Sequence, residues 1–341
     1  MSGFFFDYSD LDVLCADRDL VTPEVHATND FYGQASVLKR YTGLPSDYSL
    51  KAVIEHGITL ADQMWDHDRD SSLPWIFSSS QWRADIHRKL SKKKSIPVGF
   101  GYLYARDLVE SMAGPIKKRE GTIAFPCHST HTIRANFDHE DYANRLSELP
   151  AFMHPVSVCL YWKNYLLGEH LPYRKKGFQV VSAGHMFDQD FMLRFCDLCR
   201  HHQFSTSNET GSHLFLSTSS GCRFVFTDSK QIDWQIPNNE VKNCAKTNVL
   251  FQERRRQARL LFGNGIVSKS QSGISNEQRE FVDALTGADC QLNAVELRKQ
   301  IKQAETAYQF VKFKSWTQRR WSKITRLGKS VGSRWPWEKA S

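Results

Sequence analysis

The sequence predicts an α/β fold built on parallel sheets, and two observations point to it. The 341 residues are enough for two domains of ordinary size, each with its own core. Within residues 176–226, short apolar runs alternate with segments whose apolar residues recur at helical spacing. Strands that alternate with helices of this length are joined by right-handed crossovers and form a parallel sheet. Ligands of such sheets bind beyond the carboxyl ends of the strands.

The second α/β unit is predicted to span residues 121–305 and to contain five strands. These strands are expected at 122–126, 156–162, 178–183, 203–206 and 223–226. Asp188 is placed to cap one intervening helix, and Gly211-Ser212 opens the next. Further helices are expected at 141–149, 249–262, 276–285 and 292–301, whereas 231–246 is polar and irregular.

The first unit, residues 1–120, shows the same alternation of apolar runs and polar loops. Its strands are expected at 21–27, 50–55, 75–78 and 96–104, with a helix at 81–90. Polar residues and glycines follow several of these runs, where a parallel sheet has its ligand-binding edge. Residues 111–120 contain Gly114-Pro115 and a charged run, and they are the expected linker between the units.

The composition is that of a globular protein, with 40% hydrophobic and 24% charged residues. Eight scattered cysteines, most of them in apolar runs, indicate reduced thiols in a cytosolic protein. Cys196-x-x-Cys199 before His201-His202 has metal-like spacing, but no second cysteine pair completes a tetrahedral site. The chain start does not look like a signal peptide, and no window approaches the ~18 apolar residues of a membrane span.

The net charge of +8 is confined to the end of the chain. Residues 308–341 carry nine basic side chains and one glutamate, which leaves the body formally neutral and disfavours nucleic-acid binding. One helix over 308–327 would place Phe313, Trp316, Ile324 and Leu327 broadly on one side. A basic amphipathic tail of this kind predicts docking on an anionic membrane, which would put the protein on the inner face of the cytoplasmic membrane. The alternative packs the aromatic face onto the body.

Small and polar residues follow several predicted strands of the second unit. Ser207, Asn208, Gly211 and Ser212 surround a predicted helix start, which favours a phosphate, although a simple N-cap explains one or two of them. His185 and Asp188 share one loop and are candidates for contact with a base or ribose. His128 and His131 bracket Ser129-Thr130, a loop that either supplies donors to a diphosphate or forms an internally bonded hinge.

Two residues of the first unit are candidate catalytic bases. His56 follows an apolar run and precedes Gly57, and its imidazole has an ordinary pKa near working pH. The alternative is a strand-end histidine bonded to backbone. Asp30 is the second candidate, although Asn-Asp before Tyr-Gly is also ordinary turn chemistry.

Over roughly residues 20–300, the chain resembles the GT-B glycosyltransferases. Ser207-Asn208-x-x-Gly211-Ser212 before a helix carries part of this resemblance. Glu55-His56-Gly57 is similar to the His-Gly segment of bacterial wall-polymer and capsule transferases, whose histidine is the catalytic base. Cys127-His128-Ser129-Thr130 resembles a loop at the start of their nucleotide-binding half. The chain departs from many GT-B enzymes because Glu209 has no glutamate partner seven residues on.

The resemblance implies two Rossmann-like domains facing across a cleft, with residues 1–120 binding the acceptor and 121–305 the nucleotide sugar, followed by the tail 306–341. The implied activity is transfer of a sugar from a nucleotide sugar to a glycan or glycolipid in the synthesis of bacterial capsule, lipopolysaccharide or wall polymer. His56 would deprotonate the acceptor, and 207–212 would stabilise the leaving phosphate. No cofactor is expected beyond this co-substrate, and no metal, because Asp66-His67-Asp68 looks like a solvated loop. A non-hydrolysing sugar-nucleotide 2-epimerase of the same fold is the alternative.

Overall fold

The structure is a computed structural model that describes residues 5–116, 118–130, 133–236, 247–263 and 273–331, with side chains described as far as residue 317. Residues 5–116 contain α1 (Leu11–Cys15), α2 (Gln34–Thr42), β1 (Ala52–Ile54), α3 (Asp66–Asp70), β2 (Trp75–Ser78), α4 (Gln81–Leu90), β3 (Lys94–Pro97) and α5 (Gly101–Ala113). A kinked 3-10 segment, Ala27–Gly33, precedes α2.

The second sheet begins with β4 (Thr122–Ala124). It is followed by β5 (Arg134–Asn136), α6 (His139–Ser147), β6 (Val156–Cys159), α7 (Trp162–Leu166), α8 (Leu171–Lys175), β7 (Gln179–Val181), α9 (Phe191–His201), β8 (Phe204–Ser207), α10 (Ser212–Ser219), β9 (Arg223–Phe226) and β10 (Asp233–Gln235). Three helices complete the described chain: α11 (Val249–Phe262), α12 (Asn276–Thr286) and α13 (Ala294–Val331).

The α/β class with parallel sheets is confirmed. Strands β1, β2 and β3 pair in parallel in chain order, and a five-stranded parallel sheet has the order β7-β6-β4-β8-β9. Both flanks of the larger sheet grow outward from β4, as in doubly wound sheets. The winding changes direction between β4 and β8, and their carboxyl ends therefore form the crevice in which such sheets bind ligands.

Three local predictions from the sequence are wrong. Residues 21–27 form no strand: Val21 is 87% exposed, and the segment runs into the 3-10 turn. The apolar run at 96–104 is divided, because β3 ends at Pro97 and α5 begins at Gly101. Periodicity alone does not separate a strand from a buried helix in so short a run. The irregular stretch after 231 contributes β10, which pairs antiparallel with β5.

Buried helices join the two sheets. One hydrophobic cluster contains side chains of β1 and β2 together with those of β4, β6 and β7, and α2, α5 and α9 supply most of the rest. Helix α13, which the sequence groups with the second unit, packs against α2 and β1 and adds Leu297 and Ile301 to this cluster. The carboxyl ends of both sheets thereby come close together. In the described part of the chain, no helix is long and apolar enough to cross a membrane.

Gly287 lies where α12 meets the loop after β2. Its φ is +67°, and a Cβ atom there would lie 1.8 Å from the carbonyl oxygen of Ser79. Gly43 ends α2 in the same left-handed region, with φ +64°, but the nearest atom to a Cβ there would be a guanidinium nitrogen of Arg298 at 3.8 Å. Both alanine variants incur the left-handed backbone cost of about 1–2 kcal/mol. We expect Gly287→Ala to lower the free energy of unfolding by a further ~1–3 kcal/mol, the usual cost of overpacking. Urea denaturation of the two variants measures the difference, and equal losses would contradict this account.

Candidate active site

A cavity of about 450 Å³ lies where the carboxyl ends of the strands of both sheets meet. His56 and Gly57 enter it just after β1. From the larger sheet, Phe125 follows β4, and Ser212 begins the helix after β8. The cavity therefore includes the crevice between β4 and β8, where a doubly wound sheet binds its ligand.

Nine of the 25 described residues that line the cavity are aromatic. They are Tyr32, Trp65, Phe100, Tyr102, Phe125, Tyr161, Phe191, Phe195 and Phe251. Among the described residues, no Lys, Arg, Asp or Glu lines the cavity, and its ring nitrogens belong to His56, His128 and His213 besides the indole of Trp65. Flat aromatic faces suit a nucleotide base or a sugar ring. Any phosphate bound here would be held by neutral donors and helix N–H groups.

His56 presents a buried nitrogen that has no partner. Its Nδ1 makes no hydrogen bond to any described residue, and its ring packs edge-on against Phe31 at 5.7 Å. Burial lowers the pKa of His56 below its ordinary value, only partly offset by the negative charge of Asp68. The ring is therefore neutral at neutral pH and able to accept a proton.

A buried ion pair holds the loop that carries His56. Glu55 accepts hydrogen bonds from the backbone N–H and the hydroxyl of Ser79, both at 2.9 Å, and pairs with Arg83. Arg83 also donates to the carbonyls of Ala61 and Gln63, each at 2.8 Å. Burial raises the pKa of Glu55, but Arg83, His87 and the hydrogen bond from the Ser79 N–H together outweigh it and leave that pKa below its usual range. The Arg83 guanidinium thus holds both ends of the loop that runs from Glu55 to Gln63.

Two further imidazoles face His56 from the larger sheet. The His128 ring lies 4.7 Å from that of Tyr161, and burial lowers the pKa of His128 to about 4. The His213 ring stacks on Phe125, and its Nε2 donates to the carbonyl of Glu209 at 3.0 Å. Burial lowers the pKa of His213 to about 3. Both rings are neutral at neutral pH and can donate or accept a hydrogen bond.

A hydrogen bond connects the two sheets at the cavity. The Ser212 hydroxyl, at the start of α10, accepts from the backbone N–H of Ile58 at 3.1 Å. Ile58 belongs to the loop after His56, and both residues line the cavity. This bond therefore ties the loop that carries His56 to the start of α10.

Of the predicted site residues, the cavity brings together His56, His128 and Ser212. The others lie outside its lining: Asp30, Ser129, Thr130, His185, Asp188, Ser207, Asn208 and Gly211. The Asp30 carboxylate accepts from the hydroxyl of Thr22. Asp188 is held by Arg194 through two contacts of 3.0 Å and by Arg18 at 3.4 Å. His185 is fully buried, and its Nδ1 accepts from the N–H of Phe187.

The side chains of the remaining polar loop residues accept hydrogen bonds from backbone N–H groups of other residues. Ser129 accepts from the N–H of Ala135 at 3.1 Å, and Asn208 accepts from that of Cys127 at 2.7 Å. Ser207 accepts from the N–H of Glu209 at 3.1 Å, and Thr130 from that of Ile133 at 3.1 Å. Gly211 precedes α10 in extended backbone, with φ −152°. His131 lies outside the described residues. Asn208 thus joins the loops after β4 and β8 and shapes the crevice between them.

Sequence reasoning missed Tyr32 and Tyr161 and misplaced Asp68. Tyr32 has φ +60° in the left-handed region, and its hydroxyl lies 3.5 Å from that of Tyr161. Tyr161 lines the cavity, whereas its neighbour Trp162 is fully buried. The strand predicted at 156–162 ends at Cys159, so the sequence pattern did not place Tyr161 beyond the strand end. The view of Asp68 as part of a solvated loop is wrong, because it lies in α3 and is 4% exposed.

No protein-family model matches the chain, and no curated protein matches it. The solved structures that it resembles include the wall teichoic acid polymerase TagF, at 8% identity and a TM-score of 0.39, covering 75% of this chain and 68% of that one. They also include the UDP-GlcNAc 2-epimerase from Neisseria meningitidis bound to UDP-GlcNAc, at 12% identity and a TM-score of 0.34, covering 80% of each chain. The GtfA/B complex matches at 11% identity and a TM-score of 0.28, covering 83% of this chain and 54% of that one. At these scores and identities, the likenesses carry no argument about family or activity.

Proposed function

We propose that the protein is a GT-B-type glycosyltransferase that moves a sugar from a nucleotide sugar to a glycan or glycolipid acceptor. The observation that carries the proposal is the meeting of strand ends in one cavity, with His56 supplied by the smaller sheet and the start of α10 by the larger. Sugar transfer requires a base for the acceptor hydroxyl and stabilisation of the charge that develops on the leaving phosphate. Each requirement has a candidate in this cavity, one from each sheet.

His56 acts on the acceptor in the proposed reaction. Its imidazole, which lines the cavity, takes the hydroxyl proton as the acceptor oxygen bonds to the anomeric carbon of the donor. The bond from that carbon to the terminal phosphate oxygen breaks, and its electron pair leaves with the nucleotide. A neutral, desolvated imidazole supports this role because it is unprotonated before the reaction begins.

The start of α10 receives the leaving phosphate in this proposal. The N–H groups of Ser212 and His213 open the helix, where backbone donors have no partner within the helix. A helix start also favours negative charge. The Ser212 hydroxyl accepts from Ile58, so its own O–H can be donated to a phosphate oxygen. The aromatic walls would hold the base and the sugar.

A thermal-shift screen against UDP-, GDP-, CMP- and dTDP-sugars tests the proposal, and we expect one nucleotide class to raise the melting temperature. Gly211→Leu should abolish that shift, because its Cβ would lie 2.7 Å from the His213 ring and displace the helix start. The extended backbone of Gly211 tolerates a side chain. Gly273→Leu is the control, since a Cβ there meets nothing within 4 Å.

Undiminished nucleotide binding by a folded Gly211→Leu variant would contradict the phosphate assignment. The products separate transfer from the alternative activity. A nucleotide sugar converted at C2 in the absence of any acceptor would favour the epimerase.

We further propose that the end of α13 docks on the anionic inner face of the cytoplasmic membrane. Tyr308 is buried at 7% exposure, but Phe310, Phe313 and Trp316 are 68%, 63% and 54% exposed. Lys312 and Lys314 lie among them. Over residues 310–316, then, each aromatic side chain is more than half exposed. Exposed aromatic side chains among basic residues suit a membrane interface.

Replacing Phe310, Phe313 and Trp316 with serine in the full chain should weaken binding to anionic vesicles at least about ten-fold, since burying one such side chain contributes about 1.5–3 kcal/mol. Co-sedimentation with phosphatidylserine vesicles measures this loss, and added salt should weaken the wild-type protein as well. Leu260→Ser is the control, because Leu260 is 75% exposed on α11. Equal pelleting of the aromatic variant, or binding indifferent to anionic lipid, would refute the docking.

A further inference from the structure

Two histidines converge on one buried carboxylate beside the cavity. His26 Nε2 lies 2.8 Å from Asp68 Oδ1, and His67 Nε2 lies 3.2 Å from the same oxygen. The three atoms all lie within 4.8 Å of one another. The side chains of His26 and Asp68 are 11% and 6% exposed, whereas that of His67 is 47% exposed. His26 and Asp68 are thus largely buried, and the cluster is accessible to solvent at His67.

Rigid elements present these three side chains. His26 directly precedes the 3-10 segment, in which Asn29 exchanges two hydrogen bonds with β1, to the carbonyl of Ala52 at 2.9 Å and from the N–H of Ile54 at 2.8 Å. His67 and Asp68 belong to α3. The arrangement therefore does not depend on a loose surface loop.

Ring stacking further fixes the exposed histidine. The His67 ring stacks between two neighbours, His26 at 6.0 Å and Trp65 at 6.4 Å. Trp65 itself lines the cavity. The His56 ring also lies 5.6 Å from that of His67. The cluster is therefore next to the wall of the cavity that carries the proposed base.

The donor set has the chemistry of a transition-metal site. Two imidazole nitrogens and one carboxylate oxygen are ligands that zinc and similar dications accept, at about 2.0–2.2 Å each, with a fourth position left open. Tetrahedral ligands at such distances lie roughly 3.3 Å from one another. The separations of 2.8 and 3.2 Å around Asp68 Oδ1 are near this value. Magnesium and calcium prefer oxygen ligands alone and do not match.

We propose that His26, His67 and Asp68 form a binding site for a transition-metal dication, for which Zn²⁺ is the probe. The half-exposed His67 leaves an entry path and an open coordination position. The cluster does not include the start of α10, so the metal is not the group that stabilises the leaving phosphate in the proposed reaction. The site stands or fails independently of that reaction.

Zinc titration of the metal-free full-length protein, followed by calorimetry, tests the site. We expect one Zn²⁺ per chain, no competition from Mg²⁺, and visible absorption of tetrahedral cobalt after loading with Co²⁺. Asp68→Asn and His67→Ala should each weaken Zn²⁺ binding at least about 10–100-fold, the loss that even outer-shell changes cause. Asp66→Asn is the matched control, since Asp66 is on the same helix with its side chain 59% exposed.

His67→Ala keeps the experiment decisive if Asp68→Asn does not fold, because a half-exposed side chain is removed at little cost to stability. Failure of the wild-type protein to bind Zn²⁺ would overturn the proposal. Binding that survives the folded His67→Ala variant undiminished would overturn it as well. In either case, the cluster is a carboxylate that accepts hydrogen bonds from two histidines.

Discussion

His56→Ala is expected to reduce the turnover number of sugar transfer by about two to four orders of magnitude, the usual contribution of a positioned general base. Nucleotide-sugar affinity should be unchanged, because His56 follows β1 whereas the proposed phosphate contacts belong to α10. Steady-state kinetics give the turnover number, and calorimetry gives the dissociation constant. His170→Ala is the control, since His170 lies outside the cavity lining and bonds the carbonyl of Tyr165.

Near-normal turnover in a folded His56→Ala variant would show that His56 is not the general base and is only a structural histidine at a strand end. A parallel loss of donor binding would have a different meaning. It would indicate that the variant disturbs the loop joined to Ser212 through Ile58, and not that it removes a base.

Arg83→Met is expected to lower the free energy of unfolding by about 3–5 kcal/mol, the cost of breaking a buried ion pair from one side. The variant leaves the Glu55 carboxylate at 4% exposure without its cation. It also removes the donors to the carbonyls of Ala61 and Gln63. Urea denaturation measures the change.

Arg88→Met on the same helix is the control. Arg88 is paired with Asp85, but both side chains are about half-exposed, at 47% and 57%. Such surface pairs contribute at most about 1 kcal/mol. Adding Glu55→Gln to Arg83→Met should recover part of the loss, because the uncompensated charge is then gone. Equal effects of the Arg83 and Arg88 variants would show that the buried pair is not what holds the loop.

Local patterns were sufficient to predict the elements of the larger sheet. Four of the five strands have bounds within two residues of those predicted from apolar runs, and β6 ends three residues early, at Cys159. Helix α11 has the predicted bounds Val249–Phe262. Where the pattern was short or mixed, prediction failed. The apolar run that contains Ile96 and Tyr102 is split between a strand and a helix, and nothing local indicates where it divides. The three-residue strands β5 and β10 form only because they pair with each other.

Only those site residues that follow a predicted strand could be identified from the sequence. His56, His128 and Ser212 were found because each follows a strand of a parallel sheet. Asn208 obeys the same rule, yet its amide bonds the N–H of Cys127, because short polar side chains readily satisfy nearby backbone. The sequence does not reveal which of the two outcomes a loop residue has. His26 and Asp68 are separated by 42 positions, and only the fold brings them together.

The buried helices between the sheets restrict how far the two sheets can move relative to each other. Domains that are joined by small, polar contacts move about hinges, whereas a large apolar interface resists such motion. Here α2, α5 and α9 share one cluster with strands of both sheets. The sheets are therefore expected to unfold in a single cooperative step, and a fragment ending at residue 120 would expose apolar surface that the rest of the chain covers. Separation of the two sheets as rigid bodies is therefore not expected to open the cavity.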